Sequence, residues 1–404
     1  MGAFGAGSSV EGNFSAPHSG ITIEFTHMDK ILAFHPDDLD VVVQPGVNLV
    51  NLNNEIKDSG LLLPLDPSPT AMIGGMVSTN CSGTNAMRYG NMKDWAINLT
   101  VVLADGRVVK TRRRPRKTSA GYNLTGFFVG AEGTLGLVTE ITLKLAPIPQ
   151  DTSVAIVSFP RVRAAITAAS RIIRSGIQLA AFELMDDVQM QVVNRHGSAA
   201  VKIRKWEEEP TLFMKFSGTT DAIKSDIKRV QELIKNEKPG PLHFAKPKLE
   251  ELDLWAARKE ALFTMVSTRK EGNVLWSTDV AVPLSRLAVI IGENISKDEC
   301  SKLGIFGTVT GHVGDTAMFY DPHNAEQKAA VKKVVDDMMH RALEMDGTVS
   351  GEHAIGIGKK DCLVEELGQG TIDFMKTLKR AADPKHAALW LLNPGKVFDL
   401  PHST

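Results

Sequence analysis

Three side chains with metal-binding chemistry lie in two glycine-rich loops of the second half of the chain. His312 follows an apolar run in one glycine-flanked turn, and Glu352 and His353 are adjacent in another. Imidazole and carboxylate groups together suit a divalent metal such as zinc, iron or manganese. Histidines with satisfied hydrogen bonds in structural turns are the alternative. The coincidence of all three residues in such loops favours a functional site.

Three glycine-rich segments occupy the first 140 residues. The second is too rich in small residues for a core helix and too apolar for an ordinary solvent loop. Small residues let a backbone approach a flat ligand closely, and runs of glycine and serine expose N–H groups that suit a pyrophosphate. One such segment could be a tight turn, but three predict a large anionic cofactor. The segments are Phe4–Gly12, Asp66–Gly83 and Gly130–Gly136.

The N-terminal loop does not carry the nicotinamide-dinucleotide fingerprint. The GxGxxG pattern requires glycine where Val10 stands, and it requires a strand before the loop, whereas only four residues precede Gly5. A nicotinamide-dependent dehydrogenase is therefore disfavoured.

The pattern of predicted elements changes near residue 150. Short β-branched runs at Asp40–Gln44 and Leu99–Leu103 mark the first part, with a helix at Val47–Asp58 that ends before Gly60. Strands and helices then alternate as in a ferredoxin-like sheet. We predict an α+β fold with domains 1–148 and 149–404 and a helical C-terminal part. The strands of the second domain are predicted at Ser153–Phe159, Leu179–Leu184, Leu212–Phe216, Leu242–Ala245, Val274–Val282, Ile305–Val309 and Met318–Tyr320, and its helices at Arg161–Ser175, Asp186–Arg195, Asp221–Asn236, Glu250–Thr268, Ala325–Met345 and Gln369–Ala382.

Composition excludes several classes of protein. The 404 residues carry a formal net charge of -1, which argues against a nucleic-acid binder that works by global electrostatics. The three cysteines form no CxxC pair, so a disulfide framework or thiolate zinc site is not expected, and a reducing intracellular compartment fits best. We expect no transmembrane helix and see no targeting peptide. The basic run 112–117 is interpreted as a solvated loop.

The glycine segments, together with the run 117–122 and the pair Tyr89-Gly90, resemble the FAD-binding domain of vanillyl-alcohol-oxidase-type flavoproteins. Nearly the whole chain, including 311–315, 351–356 and 393–396, resembles FAD-linked D-lactate dehydrogenases that use a cytochrome acceptor, in particular fungal mitochondrial members. The resemblance implies that a cap domain follows the FAD domain. It implies FAD contacts at Gly5, Gly7, Ser8, Ser9, Gly12, Pro67, Gly74, Gly75, Asn80, Ser82, Gly83, Tyr89, Gly90, Glu132, Gly133, Gly136 and Asn393.

The resemblance also implies roles for the reactive side chains. His353 would be the general base that takes the hydroxyl proton of a D-2-hydroxy acid, while His312 and Glu352 would help to bind the divalent metal. Arg258 would bind the substrate carboxylate through its guanidinium fork. The implied reaction oxidises D-lactate to pyruvate, with electrons passed to cytochrome c or a quinone-linked carrier, in mitochondria.

Two features depart from the family pattern. A second metal-binding histidine is expected seven residues after His312, where this chain has Phe319, as if about five residues were missing after Asp315. Family members also carry well over a hundred residues before the first glycine loop, so the resemblance implies an FAD domain without its N-terminal part. These departures leave an inactive remnant or fragment as one alternative. Activity on D-2-hydroxyglutarate or glycolate is the other.

Overall fold

The chain divides into two units, and the first is built from both ends of the sequence. In this computed structural model, unit 1 comprises Met1–Ile148 and Ser350–Thr404, and unit 2 comprises Pro149–Val349. The structure describes residues 1–199, 201–245, 248–292, 302, 307–311, 315–384 and 390–400. The predicted division into domains 1–148 and 149–404 stays a prediction. It shares the boundary after residue 148 with the units and differs in the placement of residues 350–404.

An antiparallel five-stranded sheet with the order β3-β4-β8-β6-β7 forms the centre of unit 1. Two small pairs accompany it, parallel β1-β2 and antiparallel β5-β9. The strands are β1 Gly2–Phe4, β2 Thr22–Glu24, β3 Ile31–His35, β4 Asp40–Val43, β5 Leu61–Leu62, β6 Ala96–Val102, β7 Val108–Lys110, β8 Leu137–Lys144 and β9 Ala146–Pro147.

The helices of unit 1 are short until the C-terminal segment. In the first of them, Asn48 caps the N-terminus by accepting from the amides of Val50 and Asn51, and Leu49, Leu52 and Ile56 are buried on one face. The helices are α1 Leu49–Ile56, α2 Ile73–Thr79, α3 Ala86–Tyr89, α4 Met92–Trp95, α5 Leu124–Phe128, α13 Lys360–Leu367 and α14 Gln369–Ala382, with 3-10 turns at Pro36–Asp38 and Lys57–Ser59.

Unit 2 is a seven-stranded antiparallel sheet with the order β13-β10-β12-β11-β15-β16-β14. Its strands are β10 Asp151–Ser158, β11 Ala181–Met185, β12 Thr211–Gly218, β13 His243–Phe244, β14 Val274–Ser277, β15 Gly307–Gly311 and β16 Asp315–Tyr320. Its helices are α6 Val162–Arg174, α7 Asp187–His196, α8 Thr220–Ile234, α9 Lys248–Lys259, α10 Ala261–Ser267, α11 Leu287–Gly292 and α12 Ala325–Glu344, with 3-10 turns at Val201–Ile203 and Lys235–Glu237.

The predicted α+β class is confirmed, and strands and helices alternate after residue 150 as predicted. The predicted strand Val274–Val282 is shorter, Val274–Ser277, and residues 305 and 306 of the predicted strand Ile305–Val309 lie outside the described residues. The first four strands of unit 2 lie in the order fourth-first-third-second, which is the ferredoxin-like arrangement. The predicted helix Glu250–Thr268 is instead two helices, with Glu260 between them. Among the described residues, no helix combines the length and apolar character needed to cross a bilayer.

Candidate cofactor site and reactive residues

The loop after β1 presents several backbone N–H donors that have no acceptor among the described residues. The amides of Gly5, Gly7, Ser8 and Ser9 donate to no acceptor in the described part of the chain. Gly7 has φ +65°, and a Cβ there would lie 3.0 Å from the Phe4 ring. Successive amides in such a loop form a concavity that suits an anion. These amides are therefore available to an anion, and their contact with the cofactor stays a prediction.

Neighbouring glycines at the start of α2 serve different purposes. A Cβ on Gly74 would lie 2.5 Å from the Pro45 side chain, so packing inside the protein requires this glycine. A Cβ on Gly75 would meet no atom of the described residues within 4 Å beyond its chain neighbours and the backbone of its own helix. Close packing within the unit therefore gives no reason for glycine at 75, whereas a flat ligand lying on the helix would.

Asp66 fixes the loop that follows α2. Its carboxylate accepts from the Thr84 hydroxyl at 2.5 Å and from the Asn85 amide at 2.8 Å. A Cβ on Gly83, at φ +115°, would lie 2.6 Å from the backbone of Asp66 and 2.8 Å from the nitrogen of Pro67. Gly83 and Pro67, both predicted to contact the cofactor, thus shape this loop by close approach to one another.

Other predicted cofactor residues also shape their loops. Asn80 ends α2 with φ 51°, and its side-chain oxygen accepts from the Lys93 amide at 2.9 Å. The Tyr89 carbonyl accepts from Trp95 Nε1 at 2.7 Å. Gly90 adopts φ +69°, a conformation that favours glycine, and a Cβ on Gly136 would collide with the side chain of Val101.

Glu132 joins three separate parts of unit 1. Its buried carboxylate accepts from Asn13 Nδ2 at 2.6 Å and from the amides of Ile355 and Gly356 at 2.8 Å each. Burial raises the pKa of Glu132, and these three hydrogen bonds act in the opposite direction. The Glu132 carboxylate is therefore committed to holding loops. Sequence reasoning missed its partner Asn13, which lies one residue beyond the first glycine segment.

The C-terminal segment closes around the same loops. Asn393 donates to the carbonyl of Glu132 at 2.5 Å and accepts from Lys396 Nζ at 2.7 Å. Burial lowers the pKa of Lys396 to about 8, with Glu132 opposing the change. A Cβ on Gly133 would lie 3.6 Å from Asn393, and one on Gly12 would lie 3.3 Å from Ile357. Predicted residues from both ends of the chain therefore lie together.

Lys379 is a buried cation that sequence reasoning did not single out. Its ammonium donates to the carbonyls of Thr134 at 2.6 Å and Leu392 at 2.9 Å and to Asp383 at 2.7 Å. Burial lowers its pKa, and Asp383 opposes the change. The Lys-x-x-x-Asp spacing on a helix indicates an ion pair, but its burial follows only from the three-dimensional fold.

The predicted metal ligand Glu352 lies against a predicted cofactor loop. Its Oε2 accepts from the Ser82 hydroxyl at 2.8 Å and the Gly83 amide at 2.9 Å. His353, the predicted base, follows it and is half-buried. The neighbouring Cys81 thiol is buried, and this burial, followed by the charges of Glu352 and Asp66, raises its pKa strongly. Cys81 therefore stays a neutral thiol.

The described residues do not assemble a metal centre. No group of three histidine, cysteine or carboxylate side chains suited to a metal occurs in the described ranges. His312 lies outside those ranges. Phe319, at the expected second histidine position, lies on β16 and is buried with Val192 and Met265. Of the two predicted ligands the structure describes only Glu352, whose Oε2 accepts from Ser82 and Gly83, so the metal stays a prediction.

Arg258, the predicted substrate-binding residue, lies in the last turn of α9 in unit 2. Its Nε and Nη2 donate to one carboxylate oxygen of Glu183 at 3.1 and 2.9 Å, and the side chain of Glu183 is fully buried. These two hydrogen bonds to Glu183 hold the guanidinium group of Arg258 in one orientation. Sequence reasoning gave no role to Glu183, which lies 75 residues away.

The loops and fold define an FAD-linked oxidoreductase, and comparison with known proteins agrees. The FAD-binding domain matches residues 2–112 and the C-terminal domain of FAD-linked oxidases matches residues 148–397, so the chain belongs to the FAD-linked oxidase family. The mitochondrial D-lactate dehydrogenase [cytochrome] of Kluyveromyces lactis is 42% identical over 405 residues, covering 98% of this chain and 69% of that protein.

Two further relatives bear on substrate and fold. Glycolate oxidase subunit GlcD of Bacillus subtilis is 30% identical, with 98% of this chain and 83% of that protein covered. The solved structure of 4-ethylphenol oxidase from Gulosibacter chungangensis superposes with a TM-score of 0.75 at 15% identity, covering 99% of this chain and 85% of that one. The structural likeness shows the fold alone. FAD fits the free loop amides and the open surface at Gly75.

Proposed function

We propose that this chain catalyses the FAD-dependent oxidation of D-lactate, or a similar D-2-hydroxy acid, to the 2-oxo acid. The observation that carries the proposal is the loop with Glu352 and His353, which is hydrogen-bonded to the cofactor loop at Ser82 and Gly83. The relative that is 42% identical is named a D-lactate dehydrogenase.

His353 and Arg258 would have separate roles in this reaction. When bound, FAD supplies the acceptor for the hydride that leaves the substrate. His353 takes the hydroxyl proton, because imidazole is the side chain most used for this transfer. The loop that carries His353 is fixed by Glu132, which accepts from the amides two and three residues further on. Arg258 binds the substrate carboxylate with a planar guanidinium that Glu183 orients.

An anaerobic visible spectrum of the purified protein, taken before and after addition of D-lactate, tests the proposal. A bound flavin that bleaches supports both cofactor and reaction. A bound flavin that is not reduced by D-lactate, D-2-hydroxyglutarate or glycolate would refute the substrate class. It would favour an inactive remnant, the alternative suggested by Phe319 at the expected histidine position. A colourless protein would refute FAD binding by this chain.

Glycolate is the second candidate substrate, because a relative that is 30% identical is a glycolate oxidase subunit. Comparison of kcat/KM for D-lactate and glycolate decides between the two. A higher kcat/KM for glycolate would identify glycolate as the preferred substrate.

We further propose that electrons pass to cytochrome c or a quinone-linked carrier and that the protein is mitochondrial. The relatives from Kluyveromyces lactis and Saccharomyces cerevisiae are named as mitochondrial and cytochrome-linked. Reduction of added cytochrome c and cell fractionation test these points. Metal analysis of the flavin-loaded protein tests the metal predicted at His312 and Glu352. Less than one equivalent would contradict it.

Replacement of Arg258 by lysine is expected to raise the KM for D-lactate by about 10-fold, because an ammonium cannot form the paired hydrogen bonds of a guanidinium. Steady-state kinetics measure the effect, with the exposed Arg269→Lys as the matched control. If Arg258 only stabilises buried Glu183, the variant would melt at a lower temperature with an unchanged KM. That result would remove Arg258 from substrate binding.

A further inference from the structure

A cavity of about 170 Å³ in unit 1 is lined by four cationic side chains, and no carboxylate is among its described lining residues. The cations are Lys93, Arg112, Arg116 and Lys144. The remaining lining residues are Ala96, Ile97, Asn123, Thr125 and Gly126. None of the residues predicted to contact FAD lines this cavity, and the proposed reaction uses none of these cations.

The four cations are not neutralised by the described part of the protein. Lys144 donates to the carbonyl of Asp94 at 2.6 Å, and Arg116 donates to the carbonyl of Leu39 at 3.1 Å. Arg112 donates through Nη2 to the carbonyl of Pro115. These acceptors are uncharged, and within the described residues none of the four cations forms an ion pair with a carboxylate.

Arg112 provides a second observation. Its Nε is buried and finds no hydrogen-bond acceptor among the described residues. A buried donor without a partner is unfavourable, because it has lost its hydrogen bonds to water without replacement, so such groups are normally paired. A ligand with acceptor oxygens in the cavity would remove this cost.

The cations also repel one another. Burial lowers the pKa of Lys144, Arg116 and Arg112 lower it further, and Asp94 partly opposes them. Arg114 lies in the same basic run and shows the contrast, because it is paired with Asp38 at 2.7 Å and Asp40 at 2.8 Å. The run therefore contains one neutralised arginine and two arginines that face the cavity with no countercharge.

We propose that this cavity binds a small phosphate dianion, either inorganic phosphate or the phosphate group of a monoester. The charge of the ligand would offset the uncompensated cations, and its oxygens would accept from the guanidinium groups, which match phosphate geometry. A volume of about 170 Å³ is several times the ~30 Å³ share of a water molecule, so a phosphate group has room.

Calorimetric titration of the flavin-loaded protein with inorganic phosphate tests the proposal, in phosphate-free buffer at constant ionic strength. We expect saturable binding with one site per chain. Arg112→Gln and Lys144→Gln should each weaken binding by about 10-fold, because each removes a charged donor. Arg113→Gln is the matched control. It removes the same charge from an exposed neighbour that does not line the cavity, and it should bind phosphate as wild type does.

Glycerol phosphate in a parallel titration distinguishes the source of the anion. Tighter binding of the monoester would identify a phosphorylated metabolite as the ligand, and equal or tighter binding of inorganic phosphate would identify the free ion. Heats that do not saturate would overturn the proposal. It would also fail if Arg112→Gln and Lys144→Gln bound phosphate as Arg113→Gln does, with wild-type melting temperatures and flavin content in all three.

Discussion

Replacement of His353 by alanine is expected to slow flavin reduction by D-lactate by about 10²–10⁴-fold, the usual contribution of a general base. Flavin content should not change, because hydrogen bonds between the loop of His353 and the predicted cofactor loops are made by the side chain of Glu352 and the amides of Ile355 and Gly356, which the substitution leaves in place. Anaerobic stopped-flow absorbance, which follows the bleaching of bound flavin, measures the rate.

The matched control is His323→Ala, which removes an exposed imidazole from unit 2. It should react at the wild-type rate. His353→Gln keeps a hydrogen-bonding side chain without a titratable ring, and it should be about as slow as the alanine variant. Wild-type rates in both His353 variants would remove the residue from the proposed mechanism.

Replacement of Glu132 by alanine should have the largest effect on stability and on flavin retention. The change removes the acceptor of three hydrogen-bond donors in the interior of unit 1. These donors are the side-chain amide of Asn13 and the backbone amides of Ile355 and Gly356. At about 1–3 kcal/mol for each unpaired donor, partly offset by water, we expect a loss of about 3–5 kcal/mol in the free energy of unfolding. Urea denaturation measures it, and the absorbance ratio of flavin to protein reports cofactor retention.

Two further variants separate the specific contacts of Glu132 from the loss of any carboxylate. Glu140→Ala removes a partly exposed partner of Lys110, and such ion pairs contribute only about 0–1 kcal/mol. Glu132→Gln should fall between wild type and alanine, because the amide accepts through one oxygen but presents N–H groups to a second donor. If Glu132→Ala matched Glu140→Ala in stability and flavin content, the joining role of Glu132 would be wrong.

The local elements of unit 2 could be predicted because their determinants are local. Helix α6 carries its buried residues on one face, and Gly176 adopts φ 77° just after it, where the sequence indicated a stop. The predicted helix Ala325–Met345 agrees with α12 within one residue, and in unit 1 the predicted helix Gln369–Ala382 agrees with α14.

The connections that build the candidate site could not be predicted in this way. The hydrogen bond from Ile355 to Glu132 spans 223 residues, and that from Asn393 spans 261. No periodicity in the sequence encodes such pairings. Arg258 and Glu183 are likewise brought together only when a strand and a helix of unit 2 pack.

The glycines show a second limit of sequence reasoning. Composition correctly marked the segments as unusual, but it could not separate glycines that the protein's own packing requires from those that leave a surface open. Gly74 and Gly83 belong to the first kind, because Pro45 and Asp66 leave no room for a Cβ. Gly75 belongs to the second. Only the positions of neighbouring atoms make this distinction.

The placement of residues 350–404 in unit 1 has a consequence for biosynthesis. The acceptor Glu132 is translated long before its donors Ile355 and Gly356, with all of unit 2 between them. At about 5–20 residues per second, the intervening stretch of about 200 residues takes roughly 10–40 s to synthesise. All of unit 2 is therefore synthesised before the last segment of unit 1. The loops predicted to bind the flavin form their final hydrogen bonds only after that segment has emerged from the ribosome.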